Sequence, residues 1–316
     1  MGSSRESSAA STSRITAVVT VLVLLAAAVV VVDIGGNAAC DRPLGTFPPC
    51  AGATAAPPPP PLNSTPLVIA PQGLNSASIN AIANQFAPYL IPNDTIMLSS
   101  GAPQNNSTPN ISDLNQRLSE LVPSLPAGIH FEARTAGLSS VNSLVTGGLS
   151  PSFEGVVYDY EPGFEPEFTL NFSATLANFA TFAQSCHHAG FAAYGYPTSL
   201  PLWLSSYRTY GWNYGELAAT TGVNALQVQL QGAAHSSLTT WETALEDLVG
   251  QYAGYGLPAS AISVQLTLAV GDPNNITVSA AYAAYQFAVA HGVGQIVLWW
   301  NTNAIDPMLQ LLGMIR

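Results

Sequence analysis

The stretch that decides the fold is GVVYDYE, residues 155–161. Branched and aromatic residues in so short a run favour a strand. Side chains alternate along a strand, so Val157, Asp159 and Glu161 share one face and Val156, Tyr158 and Tyr160 the other. The run therefore reads as an apolar strand with two carboxylates in one register at its end. Only 8% of the chain is charged, which makes that placement informative.

Working outward, seven more apolar runs have the same form, each followed by turn residues and an amphipathic stretch. They are LVIAP (67–71), TIMLSS (95–100), GIHFEA (128–133), FAAYGY (191–196), ALQVQLQ (225–231), ISVQLTL (262–268) and QIVLWW (295–300). Between them Ile79, Ile82, Ala83 and Phe86 share a helical face, as do Ile111, Leu114, Leu118 and Leu121. Trp241, Ala244, Leu245, Leu248 and Val249 form another. The third helix has the thinnest pattern, LSSVNSLVTGGLS. Alternating strand and helix implies parallel strands joined by right-handed crossovers. Eight units make an α/β chain of the (β/α)8 TIM barrel kind. A doubly wound sheet is the competing architecture, but no Gly-rich phosphate loop follows the first strand.

The barrel is expected over residues 66–316, about 250 residues and the usual size. Ahead of it, residues 33–65 form an Ala/Pro-rich linker, stiff and unable to build a core. Residues 15–32, ITAVVTVLVLLAAAVVVV, are long and apolar enough to span a bilayer as a transmembrane helix. Arg5 and Arg14 precede them, which places tail 1–14 in the cytoplasm and the barrel outside the cell membrane. No good A-x-A site follows, so an uncleaved signal-anchor is expected, with secretion the outcome if it is cleaved. In that compartment Cys40 and Cys50 are candidates for a local disulfide, and the Asn-x-Ser/Thr sites at Asn63, Asn93, Asn105, Asn106, Asn110, Asn171 and Asn275 suit an exported chain. Cys186, in a helical pattern with Phe172, Leu176, Phe179 and Ala183, reads as a core thiol.

Apolar residues make up 48% of the chain, ample for a large core. The net charge of -11, with only 7 Lys and Arg residues, excludes nucleic acid as a partner, because phosphate binding needs clustered cations. His187 and His188 end a helix with no third ligand at metal spacing, and His130, His235 and His291 are isolated. There is no Gly-x-Ser-x-Gly elbow for a serine hydrolase. No cofactor is expected.

Catalytic groups of a barrel sit at the C-terminal strand ends, so Asp159 and Glu161 are the candidate catalytic residues. Two adjacent carboxyls in a sheltered site divide the labour, one protonated and one charged. Glycosidic cleavage needs that division: an acid for the leaving oxygen and a negative partner for the cationic centre. Glu165 and Glu167, just downstream, support the alternative of a solvated acidic loop.

Over residues 154–161 the sequence resembles the strand-four signature of glycoside hydrolase family 18, the chitinases and endo-β-N-acetylglucosaminidases, D-G-x-D-x-D-x-E. Gly155, Asp159 and Glu161 match, while Glu154 and Val157 replace the first and second Asp. The resemblance implies a carbohydrate substrate containing N-acetylhexosamine, with Glu161 as general acid. It also implies that Asp159 orients the 2-acetamido group, whose oxygen is the nucleophile in that family. Trp299 matches the strand-eight Trp that floors the sugar site there. Strand six ends in LQVQLQ instead of Met-x-Tyr-Asp, so Gln227, Gln229 and Gln231, read as sharing one face, are offered as amides for sugar hydroxyls or the acetamido group. Glu132 and Arg134 stand where the family has S-x-G-G, and either touch substrate or pair with each other at the rim. Tyr194 and Tyr196 share a face of strand five and either line the cleft or pack. Two alternatives remain: a catalytically inactive glycan-binding barrel, and a lysozyme-like family 25 peptidoglycan hydrolase, although strand one lacks the Asp of that family.

Overall fold

The computed structural model describes residues 64–99, 109–163 and 165–316. All eight expected strands form, in order: β1 (Leu67–Pro71), β2 (Thr95–Ser99), β3 (His130–Ala136), β4 (Gly155–Tyr160), β5 (Ala192–Pro197), β6 (Ala225–Val228), β7 (Ile262–Thr267) and β8 (Gln295–Trp300). Each pairs in parallel with its sequence neighbours, and β8 closes on β1. Eight helices alternate with them: α1 (Ser76–Ala81, continued by a π turn over Ile82–Phe86), α2 (Ile111–Leu121), α3 (Leu138–Thr146), α4 (Phe172–His188), α5 (Tyr214–Thr220), α6 (Leu238–Gly254), α7 (Val278–Ala290) and α8 (Ile305–Ile315).

Side-chain alternation splits the core in two. Val156, Tyr158 and Tyr160 face outward and join the large core under the helices. There the Tyr158 ring lies 5.4 Å from Phe179 and 5.1 Å from Phe182, both on α4. Val157 faces the lumen with Val68, Ala70, Met97, Tyr196, Val297 and Trp299. Asp159, in the same register as Val157, is fully buried in that lumen. Cys186 lies in the outer core as expected, and burial pushes its thiol up to about 12. The thin third helix forms because Val141 and Leu144 reach the core.

Side chains at the helix starts accept the free N–H groups of the first turn: Asn110 from Asp113, Asn171 from Ala174, Asn213 from Glu216, and Thr277 from Ala280. At the N-terminal end of the barrel, Asp94 accepts from the Leu67 amide at 2.8 Å and from Arg316 at 2.7 Å, tying the C-terminus to the first strand.

Two strands differ from the sequence reading by more than one residue at a limit. The third strand begins at His130 and runs to Ala136, because Gly128 turns the chain at φ 86° and pairing with β4 continues to Asp159. The sixth ends at Val228. Gln229 keeps one bridge to Thr198, and a short helix, Gln231–Ser236, begins two residues later. Gln231 therefore does not lie on a strand face with Gln227 and Gln229.

Among the described residues no helix is long and apolar enough to cross a membrane. The tail 1–14, the segment 15–32, linker residues 33–63, the Cys40–Cys50 pair and the sites at Asn63, Asn105 and Asn106 lie outside the described residues.

Candidate active site

The lumen carries its polar side chains in two layers. In the layer nearer the strand N-termini, Gln227 donates to Glu132 at 2.8 Å. Burial is the main cause that pushes the Glu132 carboxyl up to about 7, and the charge of Glu154 adds to it. Tyr194 belongs to this layer. Its ring lies over Gly155, where an added Cβ would stand 2.5 Å from Cε2. Glu132, Gln227 and Tyr194 are thus one pleat below the strand ends, and the pairing of Glu132 with Arg134 does not occur. Adjacent lumen residues on one strand are about 7 Å apart, too far for that contact once each side chain finds a nearer partner.

The upper layer centres on Arg134 and Asp159. A buried ion pair joins Arg134 Nη2 to Asp159 Oδ2. Gln229 donates to Asp159 Oδ1 at 2.8 Å and to the Tyr196 carbonyl at 2.7 Å. The guanidinium lies 4.6 Å from the Trp299 ring centre and 5.3 Å from that of Tyr196, a cation held between two aromatic rings. Tyr196 Oη donates to Gln265, which donates to Thr267 at 3.1 Å. Gln231 donates to Gln229 Oε1 at 3.3 Å. Of the candidates, the structure therefore brings together Asp159, Gln229, Gln231, Tyr196 and Trp299. Burial raises the Asp159 carboxyl, while Arg134 and the hydrogen bonds from Gln229, Arg134 and the Tyr160 backbone pull it back.

Glu161 follows Tyr160 at the mouth and is partly exposed. Burial pushes its carboxyl up to about 8; the charges of Asp159 and Asp272 act with burial, and Arg134 acts against it. Near neutral pH this group holds its proton, and Asp159 is held by a cation. The arrangement can donate a proton at one point and stabilise positive charge at the next.

The loop after β4 is not a solvated acidic turn. Glu167 Oε1 accepts from Tyr158 Oη at 2.7 Å and from the Leu138 amide at 2.5 Å, at the start of α3. Glu165, 5% exposed, folds back so that its Oε2 accepts from the Glu161 amide at 2.6 Å. Sequence reasoning missed Glu165 and the partnership of Arg134 with Asp159. The spacing Glu161 to Glu165 was visible, but a loop carries no period from which its direction could be read. Among the described residues no group of three or more His, Cys, Asp or Glu is placed to hold a metal ion.

No protein-family model matches this sequence, and no curated protein matches it. Among solved structures, the spore cortex-lytic enzyme SleL of Bacillus megaterium QM B1551 is similar with TM-score 0.57 and 11% identity, over 79% of this chain and 73% of that one. A GH18 chitinase from Pseudoalteromonas aurantia is similar with TM-score 0.48 and 13% identity, over 80% of this chain and 100% of that one. Pyruvate carboxylase of Rhizobium etli is similar with TM-score 0.48 and 14% identity, over 75% of this chain and 24% of that one. At these identities the likeness is one of fold, and chemistry has to be argued from the side chains. That fold is the closed eight-stranded TIM barrel implied by the resemblance of the strand-four motif to glycoside hydrolase family 18.

Proposed function

We propose that the barrel is an O-glycosyl hydrolase acting on a glycan that contains N-acetylhexosamine, such as a chitin-like polymer, an N-glycan or peptidoglycan. The observation that carries this reading is the pairing at the end of β4: Glu161, whose carboxyl is raised by burial and by the charge of Asp159, follows two residues after an Asp159 tied to a buried guanidinium. Glu161 would protonate the glycosidic oxygen as its bond to the anomeric carbon breaks. The acetamido oxygen of the same sugar would attack that carbon, and the positive charge formed on the acetamido group would face Asp159. Glu161, now a carboxylate, would then take a proton from the water that opens the cyclic intermediate. Gln229 and Arg134 hold Asp159 in place throughout. The apolar segment 15–32 supports presentation of this activity outside a membrane.

The experiment is a panel of chitin oligomers, peptidoglycan and N-glycans incubated with the protein and with Glu161→Gln. Release of reducing ends by the first and not the second supports the reading. Equal release by both overturns it.

One observation favours a second reading, a barrel that binds glycans without cleaving them. The guanidinium of Arg134 lies against Trp299 and binds Asp159, so it occupies a face and an oxygen that a sugar would use. Retention of oligosaccharide on immobilised protein, with no reducing ends formed over days, distinguishes this reading.

A further inference from the structure

Glu165 was assigned no role by its motif, yet its geometry is specific. It is 5% exposed on a loop. Its Oε2 accepts the Glu161 amide at 2.6 Å, and its Oε1 is buried with no hydrogen-bond partner among the described residues. A buried carboxylate leaving one oxygen unpaired is costly; a neutral acid in the same place is much less so. The groups that face it point the same way. The charges of Asp159 and Glu161 raise its carboxyl and that of Arg134 lowers it, Tyr158 from β4 feels its charge in turn, and Arg134 is already bound to Asp159.

We propose that Glu165 is a positioning residue for Glu161, an uncharged clamp whose carbonyl oxygen holds the Glu161 amide and so fixes where the Glu161 side chain leaves the strand. The proposal rests on Glu161 being the acid of the site, as argued above. Burial, with Asp159 and Glu161 adding and the Glu161 amide and Arg134 opposing, pushes the Glu165 carboxyl up to about 9. The geometry favours the neutral form for the same reason: a charge on Glu165 would sit on a buried oxygen with no hydrogen-bond partner among the described residues, with the carboxyls of Asp159 and Glu161 acting against it. Glutamine reproduces such a clamp, since its amide oxygen accepts the same N–H; alanine does not.

The test compares Glu165→Gln and Glu165→Ala in the full-length protein. For Glu165→Gln the expected kcat is within about threefold of the parent, and for Glu165→Ala it falls at least about tenfold with KM little changed, as loss of alignment at the reacting group requires. Rescue by the conservative variant supplies a readout that a merely structural role would not move: the loss in kcat of Glu165→Ala, with KM little changed, should be absent when an amide oxygen stands in the same place. The proposal is overturned if Glu165→Gln loses as much as Glu165→Ala, or if Glu165→Ala matches the parent. Should the parent cleave no glycan, the functional reading is what fails. Amide NMR then decides this proposal: the Glu161 N–H resonance should stay in its hydrogen-bonded position in Glu165→Gln and move in Glu165→Ala, and equal positions in both variants overturn the clamp.

Discussion

Arg134 and Asp159 form an ion pair inside the barrel lumen, with side chains 8% and 0% exposed. Removing one partner of such a pair leaves the other charged and unsolvated, at a typical cost of ~3–5 kcal/mol. Arg134→Met should therefore lower stability by about that amount in urea titration. Adding Asp159→Asn to it should recover part of the loss, because the stranded charge is gone. An Arg134→Met protein as stable as the parent would show that the pair carries no such weight.

Activity should follow the proton on Glu161. Its carboxyl is raised to about 8, so the acid form prevails at pH 7 and is lost as pH rises through 8. The charge of Asp272 contributes to that elevation. Asp272→Asn should move the upper limb of kcat/KM to lower pH by a fraction of a unit, with the lower limb unchanged. The pH–rate profiles of the two proteins on one substrate measure this directly.

Glu132 should make stability depend on pH. Its carboxyl is raised from 4.5 to about 7 on folding, chiefly by burial. A raised carboxyl favours the folded state fully below its unfolded value, and the advantage is lost as pH rises through the folded value. The loss is on the order of 3 kcal/mol between pH 4 and pH 8. Glu132→Gln, which keeps an acceptor for Gln227, should melt higher than the parent at pH 8 and no higher at pH 4. Parallel melting curves at both pH values would contradict this account of the lower lumen.

Gly155 begins β4 because Tyr194 and the Ala192 carbonyl leave no room for a side chain; a Cβ there would meet them at 2.5 and 2.7 Å. Gly155→Ala should cost ~1–3 kcal/mol through overpacking. Combined with Tyr194→Leu, it should cost less than the sum of the two single changes, because removing the ring opens the space. Denaturant titration of the four proteins gives the coupling.

The barrel was legible because its signals are periodic. Short apolar runs, each followed by turn residues and an amphipathic stretch, marked all eight strands, and the side-chain alternation of 155–161 put Asp159 and Tyr158 on opposite faces, which the structure turns to the lumen and to α4. What the period could not show was which lumen groups meet. Glu132 and Arg134 are two residues apart and opposite in charge, yet Glu132 meets Gln227 and Arg134 meets Asp159. Partners across a barrel are set by strand stagger and side-chain reach, which no single strand encodes. Gln231 illustrates a second limit: the alternation of LQVQLQ continues past the point where Thr198 and Ser199 hold Gln229 and the chain turns into a helix. Glu165 illustrates a third, since only the folded loop turns it back onto Glu161.

The central claim is that Glu161 donates the proton for glycosidic cleavage. Its most direct measurement is reducing-end release from N-acetylhexosamine oligomers at pH 7 by the parent protein and by Glu161→Gln, each shown to be folded by its melting curve. The account predicts turnover by the parent and a loss of at least about a thousandfold in the variant. Turnover by a folded Glu161→Gln protein at the parent rate would contradict it.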